Sequence, residues 1–409
     1  MSARPPNPSY RATPSAALAL PADTNGVRAR LWTAPFVRLL LVQTCFGLSF
    51  SVFFLLPKYL TETGASAGQI GLVMSLWGVA GVLVSPLIGT LLDRLGRKPF
   101  IVAGAALMAA SAFGFVAADG YGPIAIGLRL AQGVAFALVF NAVMTMVADR
   151  APRERMSQAL GLAGTAALLT NAIAPAAVEP LAASKGWPVG FALAGVAGLV
   201  AVGVALAIRE PPRPAATLGG DGWAALLRQP VAQAVAWSAI TCGVGFGTLA
   251  SFHQPFALSL GIERVGGFFV AYTVMAAGVR IGLGGFIDRL GARRMALASL
   301  ALYALVVAAG AWLGFFGLVL IGGGLGLAHG TFFPAIAAHA MQGVDPAKRG
   351  RSMALLHASF NGGLGASVLV LGWVAERAGY PVIFLVAGAM VLTGVGVLAR
   401  RGRPAPDTS

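Results

Sequence analysis

Charge is what this chain has least of. Only 11% of its 409 residues are Asp, Glu, Lys or Arg, against roughly 25% in a soluble domain. Acidic residues are scarcer than basic ones, 14 against 29, which leaves a net charge of +15. Cysteine is almost absent. Cys45 and Cys242 each sit inside an apolar run, which excludes a disulfide framework and gives no metal-ligand spacing. No H-E-x-x-H and no phosphate-binding loop occurs, so the reading is of a non-enzyme with no ATPase, metal or cofactor of its own. Gly64-Ala65-Ser66-Ala67-Gly68 spells a G-x-S-x-G elbow. That elbow needs a strand before it, and here it precedes an apolar run. Ser66 with Gln69 reads instead as a helix capping box.

What the chain has is apolar length. Hydrophobic residues make up 57% and the mean hydropathy is +0.80. A membrane crossing takes about 20 apolar residues. The runs predict twelve spans, at 36–57, 67–92, 99–118, 122–147, 156–182, 188–208, 231–257, 266–287, 295–312, 314–341, 352–374 and 381–399. The stretch 295–341 is too long for one crossing and is split near Ala311–Gly314. The expected organisation is a disordered cytoplasmic tail (1–35), a six-helix bundle (36–208), a cytoplasmic linker (209–230), a second six-helix bundle (231–400) and a short tail (401–409).

The two bundles are copies. Gly89-Thr90-Leu91-Leu92-Asp93-Arg94-Leu95-Gly96-Arg97-Lys98 returns as Gly284-Gly285-Phe286-Ile287-Asp288-Arg289-Leu290-Gly291-Ala292-Arg293-Arg294, with the aspartates 195 residues apart. Gly186-Trp187-Pro188 echoes Gly379-Tyr380-Pro381, and Ala131-Gln132-Gly133 echoes Ala328-His329-Gly330, all at offsets between 193 and 197. A constant offset marks duplication.

The basic residues argue against nucleic-acid binding by where they fall. With both termini in the cytoplasm, 23 of the 29 lie in inner segments; Lys58, Lys185, Arg264 and Arg377 lie outside, and Arg129 and Arg280 lie within spans. That asymmetry is the positive-inside pattern. It places the chain in a bilayer with both termini on the inner side.

Together these features resemble the major facilitator superfamily. Its loop between spans two and three reads G-x-L-x-D-R-x-G-R followed by Arg or Lys, and Gly89, Leu91, Asp93, Arg94, Gly96, Arg97 and Lys98 fill it. The second copy keeps Gly284, Asp288, Arg289, Gly291, Arg293 and Arg294. The span-four pattern R-x-x-Q-G is met by Arg129, Gln132 and Gly133. The resemblance implies an all-α fold of two six-helix bundles, no cofactor, a monomer in a bacterial inner membrane, and secondary transport by alternating access. It implies that Asp93 faces span eleven and Asp288 span five, closing the cytoplasmic side in one state. Arg150, Arg280 and Arg351 are the candidate gate partners.

Ionisable residues within spans are candidates for function. Arg129, Gln132 and Phe136 share a helical face; Arg129 is read as a substrate or coupling residue, or as a structural pair. His329 and His253 offer imidazoles that titrate near neutrality or simply pack. Gln43, Phe50 and Phe54 form a cavity wall or a packing stripe. The antiporter pattern of span five is met only by Pro175, and span one holds no acid. A proton would then travel on Glu179, a histidine, a loop acid or the substrate. The leading reading is proton-coupled export of a small organic solute, and the runner-up is symport or facilitated uptake, of an anion for instance. A transporter-like receptor without flux is the remote alternative.

Overall fold

A computed structural model describes residues 31–152, 155–210, 226–282, 290–342, 344 and 349–402. Among these residues the chain forms twelve helices and no strand. They are α1 (Ala34–Glu62), α2 (Ala67–Leu95), α3 (Lys98–Val116), α4 (Pro123–Arg150), α5 (Met156–Lys185), α6 (Trp187–Leu206), α7 (Pro230–Ser259), α8 (Gly266–Gly282), α9 (Ala292–Ala309), α10 (Phe315–Met341), α11 (Arg349–Ala378) and α12 (Tyr380–Arg401). Eleven are long and apolar enough to cross a membrane; α8 is described over 17 residues. The protein is a multi-pass membrane protein.

Helix ends follow local chemistry. Ser66 Oγ accepts from Gln69 N (3.3 Å) while Gln69 Oε1 accepts from Ser66 N (2.9 Å), the expected capping box at the start of α2. The break between α9 and α10 falls at the one-turn helix Gly310–Trp312 and extended Gly314. The first span runs further than the sequence indicates. Pro57 reads as a terminator because it lacks an N–H. Instead α1 tightens into a 3₁₀ turn at Val52–Leu55, Pro57 takes an early position in the next segment, and the helix continues to Glu62. Lys58, expected in an outer loop, therefore lies inside a helix and is buried.

The duplication appears in the packing. In the first half α1 packs on α5 and α6, α4 on α2 and α3, and α3 on α6. In the second half α7 packs on α11 and α12, α10 on α8 and α9, and α9 on α12. The halves meet along two seams, α2 with α11 and α5 with α8, which are equivalent under the repeat. Backbone conformation repeats too: Gly64, Gly96 and Gly186 have φ of 86°, 91° and 84°, and their counterparts Gly261, Gly291 and Gly379 have 76°, 84° and 83°.

The α2–α11 seam is tight at one end and looser further along, and the α5–α8 seam is tight at the same end. On α2, a Cβ at Gly71 would meet Val368 O at 2.6 Å and one at Gly78 would meet Asn361 O at 3.0 Å. At Gly81, further along, the nearest atom is 3.9 Å away. On α8, a Cβ at Gly266 would meet Glu179 Oε2 at 2.6 Å; Gly278 and Gly282 lie on another face of the helix, shared with exposed Val274, and meet nothing within 4 Å among the described residues. The glycine spacing at Gly278 and Gly282, like Gly161, thus marks no close approach in this arrangement. The glycines of α10 do: Gly322, Gly326 and Gly330 lie against the backbone of Phe268, Tyr272 and Ala276 on α8, small residues letting two backbones touch.

Candidate functional site

The centre of the bundle is aromatic. In the first half Phe50 (α1), Trp77 (α2) and Phe136 (α4) touch one another, with ring centroids 5.7, 4.7 and 5.4 Å apart. In the second half Phe246 (α7), Tyr272 (α8) and Phe333 (α10) surround His329, at 5.0, 6.0 and 4.9 Å from its ring. A small cavity between the halves is lined by Phe54 and Asn171 from one side and by Phe246, Phe269, Tyr272 and Leu325 from the other. Phe54 stacks on Phe269 across it at 5.7 Å.

Polar groups are embedded beside these rings. Arg129 is 1% exposed and donates from Nη1 to Gln132 Oε1 at 3.0 Å. Arg129 Nε, Gln132 Nε2 and Gln43 Oε1 are buried without a protein partner among the described residues. A buried donor left unpaired is costly, so this cluster is built to meet something polar. His329 Nδ1 lies 3.3 Å from Tyr303 Oη. His253 is buried, stacks on Phe268 at 3.9 Å and bonds Leu249 O at 2.5 Å. Arg280 is exposed, eight residues along α8 from Tyr272, or roughly 12 Å at 1.5 Å per residue. Its Nη1 reaches to 4.0 Å from where a Cβ on Gly164 of α5 would stand.

One end of the molecule is held shut by carboxylates. Glu179 on α5 accepts from Val265 N (2.7 Å) and Gly266 N (2.6 Å), the N-terminus of α8 in the other half. It also pairs with Lys58 Nζ at 2.8 Å; the two side chains are 10% and 7% exposed. Lys58 donates further to the Glu263 carbonyl. Gln254 on α7 donates to Phe54 O (2.6 Å) and accepts from Lys58 N (3.3 Å). On the other seam Glu376 of α11 accepts from Gly68 N (3.0 Å) in the first turn of α2. Glu179 and Glu376 are 197 residues apart, so each half places one carboxylate on a helix N-terminus of the other. Helix N-termini attract negative charge through their free N–H groups.

At the opposite end several ties run within one half. Arg97 Nε lies 3.1 Å from Asp149 Oδ2. Glu210, just beyond α6, accepts from Arg97 N (2.7 Å) and Lys98 N (2.8 Å). Lys98 Nζ donates to Leu206 O (2.8 Å), and Arg293 Nη2 donates to Ala399 O (2.7 Å) at the equivalent place in the second half.

A sequence model of the Major Facilitator Superfamily matches residues 39–328 and 281–409. The chain belongs to this superfamily. Over 370 residues it is 29% identical to an uncharacterised MFS-type transporter of Pseudomonas aeruginosa strain UCBPP-PA14, covering 85% of this chain and 89% of that one. It is 25% identical over 164 residues to quinolone resistance protein NorA of Staphylococcus aureus, covering 40% of this chain and 42% of NorA. The chain thus spans about two fifths of that relative's length. Two solved structures share the fold at 16% identity. A mutant of the nucleoside transporter NupG has TM-score 0.78 over 89% of this chain and 99% of its own. A bacterial homologue of the lysosomal transporter Spinster, inward-facing and unoccupied, has TM-score 0.69 over 91% and 98%.

Within the superfamily frame the expected gate residues fall as follows. Gly89, Asp93 and Arg94 occupy the last turns of α2, and the side chains of Asp93 and Arg94 lie outside the described set. Gly96 caps that helix through its N–H to Leu92 O at 3.0 Å. Gly284, Asp288 and Arg289 lie outside the described residues. Arg150, the expected partner of Asp93, donates to the Arg209 carbonyl, and Arg351 sits in the first turn of α11. Phe50 and Phe136 touch in the first-half ring group, Arg129 and Gln132 bond each other on α4, Gln43 is buried on α1, His329 lies among the second-half rings, and His253 packs on Phe268. Glu179, expected to face the cavity, sits in the clasp. Sequence reasoning missed Lys58, Glu376, Asp149 and Glu210. The repeat offset pairs Glu376 with Glu179 and is the signal that finds it.

Proposed function

We propose that the chain is a secondary transporter of the bacterial inner membrane that exports a small organic solute in exchange for protons. The observation that carries the transport reading is the paired clasp. Both seams between the halves are tight and carboxylate-clasped at the Lys58 end, and along α2 the contact with α11 loosens by Gly81. Two similar bodies joined along two equivalent seams can rock, exposing a central site to each side in turn. With the basic clusters inside, the clasped end faces outward and the loose end faces the cytoplasm. The bundles 36–208 and 231–400 are then the rocking units. On closure of the inner end Asp93 would approach α11 and Asp288 α5.

Export is supported by the partial similarity to NorA. Proton exchange is supported by Glu179, a carboxylate buried and paired while the outer end is shut, which meets water when it opens. The test is reconstitution in liposomes with a pH dye inside and a panel of organic solutes under an imposed proton gradient. Solute-dependent proton movement, lost in Arg129→Ala, is the expected result. Solute flux without proton movement would overturn the exchange, and flux running only with the gradient would make the protein a symporter.

A further inference from the structure

Resting on the transport reading, we infer that the transported solute is a flat aromatic molecule, neutral or anionic, held between two ring triads contributed by the two halves. The triads are a repeat pair. Phe50 corresponds to Phe246, Trp77 to Tyr272 and Phe136 to Phe333, at offsets of 196, 195 and 197. Each triad comes from three helices of its own half, so the three rings form a built surface rather than the stripe of one helix. Phe246 and Tyr272 line the space between the halves, and Phe50 meets it through Phe54, 5.7 Å away and edge-on. Trp77, Phe136, Phe246 and Phe333 remain part-exposed although they lie deep in the bundle.

Rings prefer offset-stacked or edge-on ring partners over equally apolar aliphatic ones. A pair of such surfaces that approach and part as the halves rock selects flat, π-bearing solutes. The charge of the site fixes the sign. Every Asp and Glu within the described helices falls in the last two turns of its helix. Glu179 and Asp149 are engaged there with Lys58 and Arg97. His329 stands among the second-half rings, and Gln132 and Arg129 lie about one and two turns from Phe136 along α4. A cation would find no counter-charge beside the rings, whereas a carboxylate or an amide would find donors, among them Arg129 Nε and Gln132 Nε2.

The experiment is equilibrium binding to the full chain in lipid nanodiscs. The probes are 2-naphthoate, 2-naphthamide, decalin-2-carboxylate as the saturated counterpart, and (2-naphthyl)trimethylammonium. Naphthoate and naphthamide are expected to bind, the saturated acid roughly fivefold more weakly, and the cation not to compete. Phe50→Leu and Phe246→Leu, which keep the volume, are expected to erase that aromatic preference with an unchanged melting temperature. Arg129→Gln is expected to weaken naphthoate relative to naphthamide. Equal binding of the saturated acid, tightest binding of the cation, or no binding by any of the four would overturn the inference. None of these touches the transport reading, which rests on the clasped seams and is tested by proton-coupled flux in liposomes.

Discussion

Replacing Glu179 by glutamine is expected to open the outer end. In the closed arrangement its carboxylate accepts from two amides of the opposite half, at 2.7 and 2.6 Å, and neutralises Lys58 at 2.8 Å. In the open arrangement water would take over these partners. Glutamine keeps one acceptor but loses the charge, so it weakens the closed state and leaves buried Lys58 with Glu62, 3.9 Å away, as its remaining counter-charge. Hydrogen bonds to charged groups contribute about 1.5–3 kcal/mol each. Taking roughly 2 kcal/mol as the net difference between the two states shifts their ratio about thirtyfold. The readout is the distance distribution between spin labels at Ser184→Cys and Arg264→Cys, both exposed at this end on opposite halves, with Cys45 and Cys242 changed to serine. A longer-distance population should grow strongly in Glu179→Gln. Glu376→Gln should act in the same direction but less, because that side chain is exposed and binds one amide. An unchanged distribution in a folded Glu179→Gln protein would refute the clasp and the rocking it implies.

Three further outcomes follow from local geometry. Ser66→Ala removes the capping box of α2 and should cost about 1 kcal/mol, seen as a lower melting temperature with Gly64 and the rest of the turn unchanged. Gly243→Ala puts a Cβ 2.1 Å from Phe360 O; overpacking of this kind costs about 1–3 kcal/mol, and the α7–α11 contact should loosen measurably by thermal unfolding. Gly278→Leu meets open space on the exposed face of α8 that also carries Val274, so it should leave both melting temperature and flux unchanged; lost flux in this variant would mean that this face of α8 packs against something during transport.

The contrast between Gly243 and Gly278 shows what a sequence of this kind reveals and what it hides. Both are helix glycines in apolar runs, and nothing local separates them; only the path of the neighbouring helix does. The twelve crossings were readable because apolar length and charged ends are set by the bilayer, and Ser66 with Gln69 was readable because a capping box is local chemistry. The ring triads were half-readable. Phe50 and Phe136 stand on faces with polar neighbours, but Trp77, Phe246, Tyr272 and Phe333 are aromatics among aliphatics, where periodicity carries no contrast. Lys58 was misplaced because the 3₁₀ turn that admits Pro57 into α1 has no sequence signature. Glu210 was hidden in a hydrophilic joint.

What recovers the hidden part is the duplication itself. An ancestral half that pairs with a copy of itself repeats every contact across the seam, so a residue assigned a role in one half predicts its counterpart. Glu179 points to Glu376, Lys98 to Arg293, and Phe50 to Phe246, and in each case the structure shows the same kind of contact in both copies. Where the copies differ, symmetry cannot supply the reason. Gln132 bonds Arg129 within its helix, while its counterpart His329 sits inside a ring of aromatics with Tyr303 at 3.3 Å. A fold that needs only balanced halves has no reason to keep that difference. An unsymmetrical solute bound between the halves would supply one: the first half buries a guanidinium and an amide on α4, the second an imidazole beside two phenols.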